Sequence, residues 1–233
     1  MTERATIIRD SVAVGAATAA YGISFGAVAI ASGLSPFQAQ ALSGLMFTGA
    51  SQFALIGVIG TGGGVLAAVA AAAFLGVRNS LYGFHMATIL HVRGAQRLAA
   101  AQVTIDESTG MAMGHEDSPA NARTAFWATG ISVFVLWNAG TLLGSLGAGL
   151  LGDPARWGLD AAIPAAFLAL LWPRLSNATA RFTAVIAIIL AIIATPLLPP
   201  GVPILVAGGC AVGLGIAFEH RRNRGPHSTQ VNE

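Results

Sequence analysis

Four groups of polar residues interrupt an otherwise apolar chain. Arg78, Asn79, Ser80 and Tyr82 stand together in "AAFLGVRNSLYG", Ser51 and Gln52 in "GASQFAL", Asp106 and Glu107 in "VTIDESTGM", and Asp160 in "GLDAAIPAAF". An Arg within a membrane span costs about 2.5 to 3.5 kcal/mol on insertion scales, so Arg78 must face a partner or a water-filled cavity. Its planar fork suits bidentate binding of a substrate carboxylate. A structural ion pair with an acid such as Asp160, or snorkelling from a span that ends near Val77, are the other readings. Gly49, Ala50 and Ser51 let a neighbouring backbone come close, and the Gln52 amide can satisfy carbonyls freed by an unwound turn. A helix broken there would offer backbone groups to the ammonium or carboxylate of an amino acid. An ordinary interhelical hydrogen bond, worth about 0.6 kcal/mol, is the plainer alternative. Asp106 and Glu107 would repel one another in a confined site, which suits a proton carrier; in water they are a solvated loop pair. Asp160 suits a helix N-terminus, a proton-coupling role or pairing with Arg78.

Other chemistry is poorly represented. His85 and His91 are six residues apart, off the i, i+4 spacing of a helical metal site, and Cys210 is alone, so no metal is expected. "GTGGG" lacks the Lys-Ser/Thr of a phosphate-binding loop, and no Ser-His-Asp elbow is present. Neither an enzyme nor a cofactor is expected.

The elements that must position these residues are membrane helices. Of 233 residues, 55 % are hydrophobic and 9 % charged, against about 25 % charged in a soluble domain. Mean hydropathy is +0.70. Uncharged runs reach the roughly 20 residues that cross a bilayer, and no alternating ten-residue segments suggest a barrel, so the fold class is all-α. Seven spans are expected, at about 11–31, 38–60, 64–90, 124–150, 157–173, 182–199 and 201–218, with a polar loop at about 93–123. The stretch from Val12 to Ala31 exceeds a signal-peptide h-region and reads as the first span. All twelve basic residues are Arg. With seven spans, Arg93, Arg97, Arg123, Arg174, Arg181, Arg221, Arg222 and Arg224 share one side and Arg4, Arg9 and Arg156 the other, favouring an outside N-terminus. The basic tail suits anionic lipid.

Sliding the chain by 118 residues sets Gly22 on Gly140, Gly26 on Gly144 and Pro36 on Pro154. The shared G-x3-G-x9-P pattern, three expected crossings apart, implies an inverted 3+3 repeat, about 11–92 and 124–199, followed by an extra helix at 201–218.

In order and spacing the motifs resemble one family, from about residue 20 to 175. "GASQF" at 49–53, R-x-x-L-Y-G at Arg78, Leu81, Tyr82 and Gly83, "DE" at Asp106 and Glu107, and "LDAAIPAAFLALL" at 159–171 are similar to the AzlC/YgaZ-type exporters of branched-chain amino acids. Where members commonly carry Asp or Asn before the Arg and His after it, this chain has Gly76 and Asn79; Ile105 replaces a usual Thr. These departures bear on substrate preference and coupling. The resemblance implies a large subunit in a bacterial cytoplasmic (inner) membrane, working with a small hydrophobic AzlD-type subunit to export leucine, isoleucine, valine and sometimes methionine.

Together, residues and resemblance lead to a proton-driven secondary exporter. Arg78 meets the substrate carboxylate, with Gly49, Ser51, Gln52, Asn79 and Tyr82 also at the substrate; Asp106, Glu107 and Asp160 are proton-coupling candidates. A permease driven by a separate ATPase and a non-transporting scaffold subunit are the competing readings.

Overall fold

The structure, a computed structural model, describes residues 2–148, 168, 171, 172 and 175–223. All regular structure among them is helical, as hydrocarbon requires of a chain that must satisfy its backbone polar groups internally. The chain divides into two compact units, Met1–Phe167 and Leu168–Glu233.

In the first unit α1 (Glu3–Ala31), α4 (Val65–Leu90) and α7 (Pro119–Ala148) are long and apolar enough to cross a membrane. Between them lie four short helices, α2 (Pro36–Leu45), α3 (Ala50–Gly60), α5 (Ala95–Gln102) and α6 (Asp106–Met113). At 1.5 Å per residue each short helix reaches only about 12 to 17 Å, roughly half of a 30 Å hydrocarbon core.

Their contacts show how they are used. Ser32, just after α1, and Gly60, at the end of α3, are neighbours: a Cβ on Gly60 would stand 2.6 Å from Ser32 Oγ. The α2–α3 segment therefore starts and finishes at the same end of the bundle. Phe53 packs edge-on to Phe25 at 5.7 Å, seven residues before the Gly60 and Ser32 contact on both helices, so α3 rises alongside α1. The α5–α6 segment does the same at the opposite end. The α4 exit touches the α7 entrance through Arg123 Nε, which donates to the Ile89 carbonyl at 3.1 Å. From there α6 returns beside α4, with Tyr82 bonded to Asp106 and His85 to Glu116. Two half-length hairpins thus enter from opposite ends, α2–α3 (hairpin A) and α5–α6 (hairpin B). The expected span at 38–60 is corrected: it does not cross. The expected polar loop at 93–123 folds inward, burying Thr104, Ser108 and Thr109.

Each hairpin has its own packed seat. Phe25, Phe53 and Trp137 stack and cross around hairpin A, while Phe47 meets Phe134 edge-on at 5.0 Å. Met86, Leu90 and Phe126 close on Ala100, Val103 and Ala112 of hairpin B. Lipid tails are as apolar as these side chains, so close packing and interhelical hydrogen bonds hold the assembly in place of a hydrophobic drive.

The frame is the α1–α7 pair. Thr129 Oγ1 donates to Ser11 Oγ at 2.9 Å, Gly15 faces Ser132, Gly22 faces the Trp137 carbonyl, which a Cβ added there would meet at 2.6 Å, and Gly26 faces Thr141. Gly140 and Gly144 return the contact against Ala19 and Ile23. These pairs ascend together, so α1 and α7 run parallel. The inverted 3+3 repeat, 11–92 against 124–199, requires them to be antiparallel and is corrected accordingly. The two G-x3-G patterns are the two sides of one interface, where missing side chains let backbones touch.

In the second unit, α8 (Ala178–Ala194) and α9 (Val202–Asn223) form a hairpin pinned by an edge-on Phe182–Phe218 contact at 5.9 Å. They cover most of the spans expected at 182–199 and 201–218. Both are apolar, with apolar stretches shorter than the three long helices. The expected span at 157–173 falls almost wholly outside the described residues, as does Asp160. Three helices meet the length and composition of a span among the described residues, against the seven expected.

Candidate functional site

The hairpin tips, residues 46–49 and 103–105, meet beside the middle of α4. Hairpin A turns at Gly49, whose φ of +61° lies in the region that side chains disfavour. Gln52 is fully buried and joins the two arms of this hairpin. Its Oε1 accepts from the Gly49 N–H at 3.1 Å, and its Nε2 donates to the Leu42 carbonyl at 3.2 Å. The amide therefore does what the broken-helix reading of "GASQF" required of it. Hairpin B repeats the device with Ser108, again three residues beyond the N-cap: its hydroxyl accepts from the Ile105 N–H at 3.1 Å and donates to the Val103 carbonyl at 2.6 Å. Gln102 Nε2 then links the hairpins by donating to the Gly44 carbonyl at 2.7 Å.

Two successive residues of α4 hold one tip each. Arg78 Nη2 donates to the Thr48 carbonyl at 3.4 Å and Asn79 Nδ2 to the Thr104 carbonyl at 3.3 Å. Arg78 Nη1 also pairs with Asp106 Oδ2 at 2.7 Å, while Tyr82 Oη donates to Asp106 Oδ1 at 2.6 Å. Both oxygens of this carboxylate are engaged. The Arg78 and Asp106 side chains are 26 % and 20 % exposed, enough burial that each ion depends on the other. Asp106 and Glu107 occupy the first turn of α6, where the helix dipole favours negative charge. The first turn of α3 has no acid, and its N-cap has no side chain to accept from it.

Buried polar atoms without a partner concentrate around this waist. They include Thr48 Oγ1, Ser51 Oγ, Arg78 Nε, Asn79 Oδ1, Thr109 Oγ1 and Trp137 Nε1. Leaving such a group unmet costs about 1 to 3 kcal/mol. A site that handles polar cargo supplies a reason for keeping them.

The fold brings together Gly49, Ser51, Gln52, Arg78, Asn79, Tyr82, Asp106 and Glu107. Arg78 takes Asp106 as its acid, while Asp160 lies outside the described residues, and Asp106 belongs to a partly buried helix start instead of a solvated loop. Sequence reasoning missed Thr48, Gln102, Thr104, Ser108 and Trp137. A usable signal was present: "TGASQ" and "TIDES" both place a Thr four residues before the polar side chain that closes the turn.

No curated protein and no solved structure matched the chain. A family model described as AzlC protein matches residues 13–151, a stretch that holds both hairpins, all of α4 and α7 and most of α1. Since that match covers more than half of a chain already built from membrane-length apolar helices, the protein belongs to the AzlC family, a family of membrane transporters.

Proposed function

We propose that the protein is a secondary exporter of branched-chain or similar neutral amino acids in a bacterial cytoplasmic membrane, coupled to protons and assembled with a small AzlD-type subunit. The observation that carries this reading is the meeting of two half-length hairpins, entering from opposite ends, at the Arg78–Asp106 pair. Broken helices at mid-depth place backbone dipoles where a zwitterion can be held. Hairpin A closes the path from one face and hairpin B from the other, so displacing them in turn gives alternating access. Protonation of Asp106 removes the charge that holds Arg78, frees its guanidinium and loosens hairpin B; this links proton movement to gating. Glu107, in the same helical turn, is the second coupling candidate, and Asp160 remains a third.

Direction follows from charge. Arg4, Arg9, Arg93, Arg97 and Arg123 belong to the end that holds the α1 start, the α4 exit and the α7 entrance, while residues 32–64 contain no Arg or Lys. The positive-inside rule then puts the N-terminus and the base of hairpin B in the cytoplasm. This reverses the orientation expected from seven spans, because the span count, on which the arginine assignment rested, has changed. Substrate enters past hairpin B and leaves past hairpin A.

Uptake of labelled leucine into proteoliposomes holding this chain and its small subunit tests the reading. Uptake driven by an imposed pH gradient without ATP, and competed by isoleucine or valine, is the expected result. Uptake only after adding an ATPase indicates an ATP-driven permease, and none from a verified folded complex indicates another substrate class or a scaffold.

A further inference from the structure

We propose that the N-terminus of α3, with the buried hydroxyl of Ser51, is the seat of the substrate's carboxylate; this rests on the amino-acid reading above. Two helix N-termini face the waist, and they differ in sign. At α6 the positive end is covered by Asp106 and Glu107. At α3 the first turn carries no acid, and Gly49 offers no capping side chain to the N–H groups of Ala50, Ser51 and Gln52. Helix geometry gives first-turn N–H groups no acceptor within the helix, and an end of this kind binds anions through them.

Ser51 is the independent sign of a ligand. It is 2 % exposed, yet its Oγ has no hydrogen-bond partner. Helical side chains lean toward the N-terminus, which puts the hydroxyl beside the uncapped N–H groups. It faces Gly76 of α4, where a Cβ would stand 3.6 Å from Oγ. Arg78 Nε and Trp137 Nε1 are two more buried donors without an acceptor, and the Trp137 ring lies 3.7 Å from where a Gly49 Cβ would be. A carboxylate, which only accepts, answers all of these donors.

Charge makes the α3 end the main anchor and not the Arg78 fork, whose guanidinium is already balanced by Asp106 through Nη1 and adds only its Nε–H. The opposite character of the two tips orients a zwitterion, carboxylate toward α3 and ammonium toward the acids of α6.

Equilibrium binding to the full chain in lipid nanodiscs tests this with three probes: leucine, 4-methylpentanoate, which lacks the amine, and 3-methylbutylamine, which lacks the carboxylate. Ser51→Ala removes a hydroxyl that bonds to nothing else, so the fold is retained. It weakens leucine and 4-methylpentanoate alike by about tenfold or more, and whatever affinity 3-methylbutylamine has is unchanged. Ser51→Asp, which supplies its own carboxylate to the seat, abolishes leucine binding and spares the amine. Equal losses for all three probes with Ser51→Ala, or no loss for any, overturn the seat and leave the exporter reading standing. Wild-type protein that binds 4-methylpentanoate but not leucine supports the seat and overturns the amino-acid reading; binding of neither overturns both.

Discussion

Arg78 and Asp106 illustrate how a single contact decides between roles. Each side chain is mostly buried, so removing one partner strands the other as an unpaired charge. Arg78→Ala and Asp106→Ala should each destabilise the protein by about 3 kcal/mol, the lower end of the range for buried pairs because both groups retain some exposure. The double variant should recover much of that loss, as read from thermal midpoints in the same lipid. A double variant no more stable than either single one would show that the pair does not couple. All three variants should lose transport. The motif "VRNSLYG" advertised a functional Arg, but its partner was out of reach of sequence reasoning, because Asp106 lies 28 residues away across a hairpin that reads as a polar loop.

At the scale of elements, the α1–α7 interface sets where both hairpins can sit. A Cβ at Gly26 would collide with the Thr141 carbonyl, a backbone atom that cannot swing aside. Gly26→Val should therefore cost about 1 to 3 kcal/mol or more and separate the helices. Gly83→Ala is its control, since no atom lies within 4 Å of the added Cβ and Ala favours the helix; its thermal midpoint should hold or rise slightly. Both glycine patterns were legible in the sequence, and their meaning was not. Two helices that pack through their glycines must space them alike, so an interface imitates a duplication. The break in the second apolar segment was also legible, from Gln52 and its small neighbours. The return of the chain to its starting end was not, since hydropathy records how long an apolar stretch is and is blind to a bend within it.

For the whole molecule, membrane class and helical fold followed from composition alone, whereas topology depended on two hairpins that hydropathy misreads in opposite ways. Hairpin A is apolar enough to imitate a crossing. Hairpin B is polar enough to imitate a solvated loop, because the groups that close its turn and bind Arg78 are the ones a buried tip needs. Correcting both changes the crossing count, gathers five arginines at one end and underlies the proposed reversal of orientation. Everything proposed about access and direction rests on this arrangement. The most direct test is sided labelling of single cysteines with an impermeant maleimide in right-side-out and inverted vesicles, in a Cys210→Ser background. Ala31→Cys and Gly64→Cys flank hairpin A, and Arg93→Cys and Asp117→Cys flank hairpin B; all four positions are exposed. The two-hairpin arrangement predicts that the first two label from one face and the last two from the other. Labelling of Ala31→Cys and Gly64→Cys from opposite faces would mean that the segment between them crosses the membrane, and would contradict it.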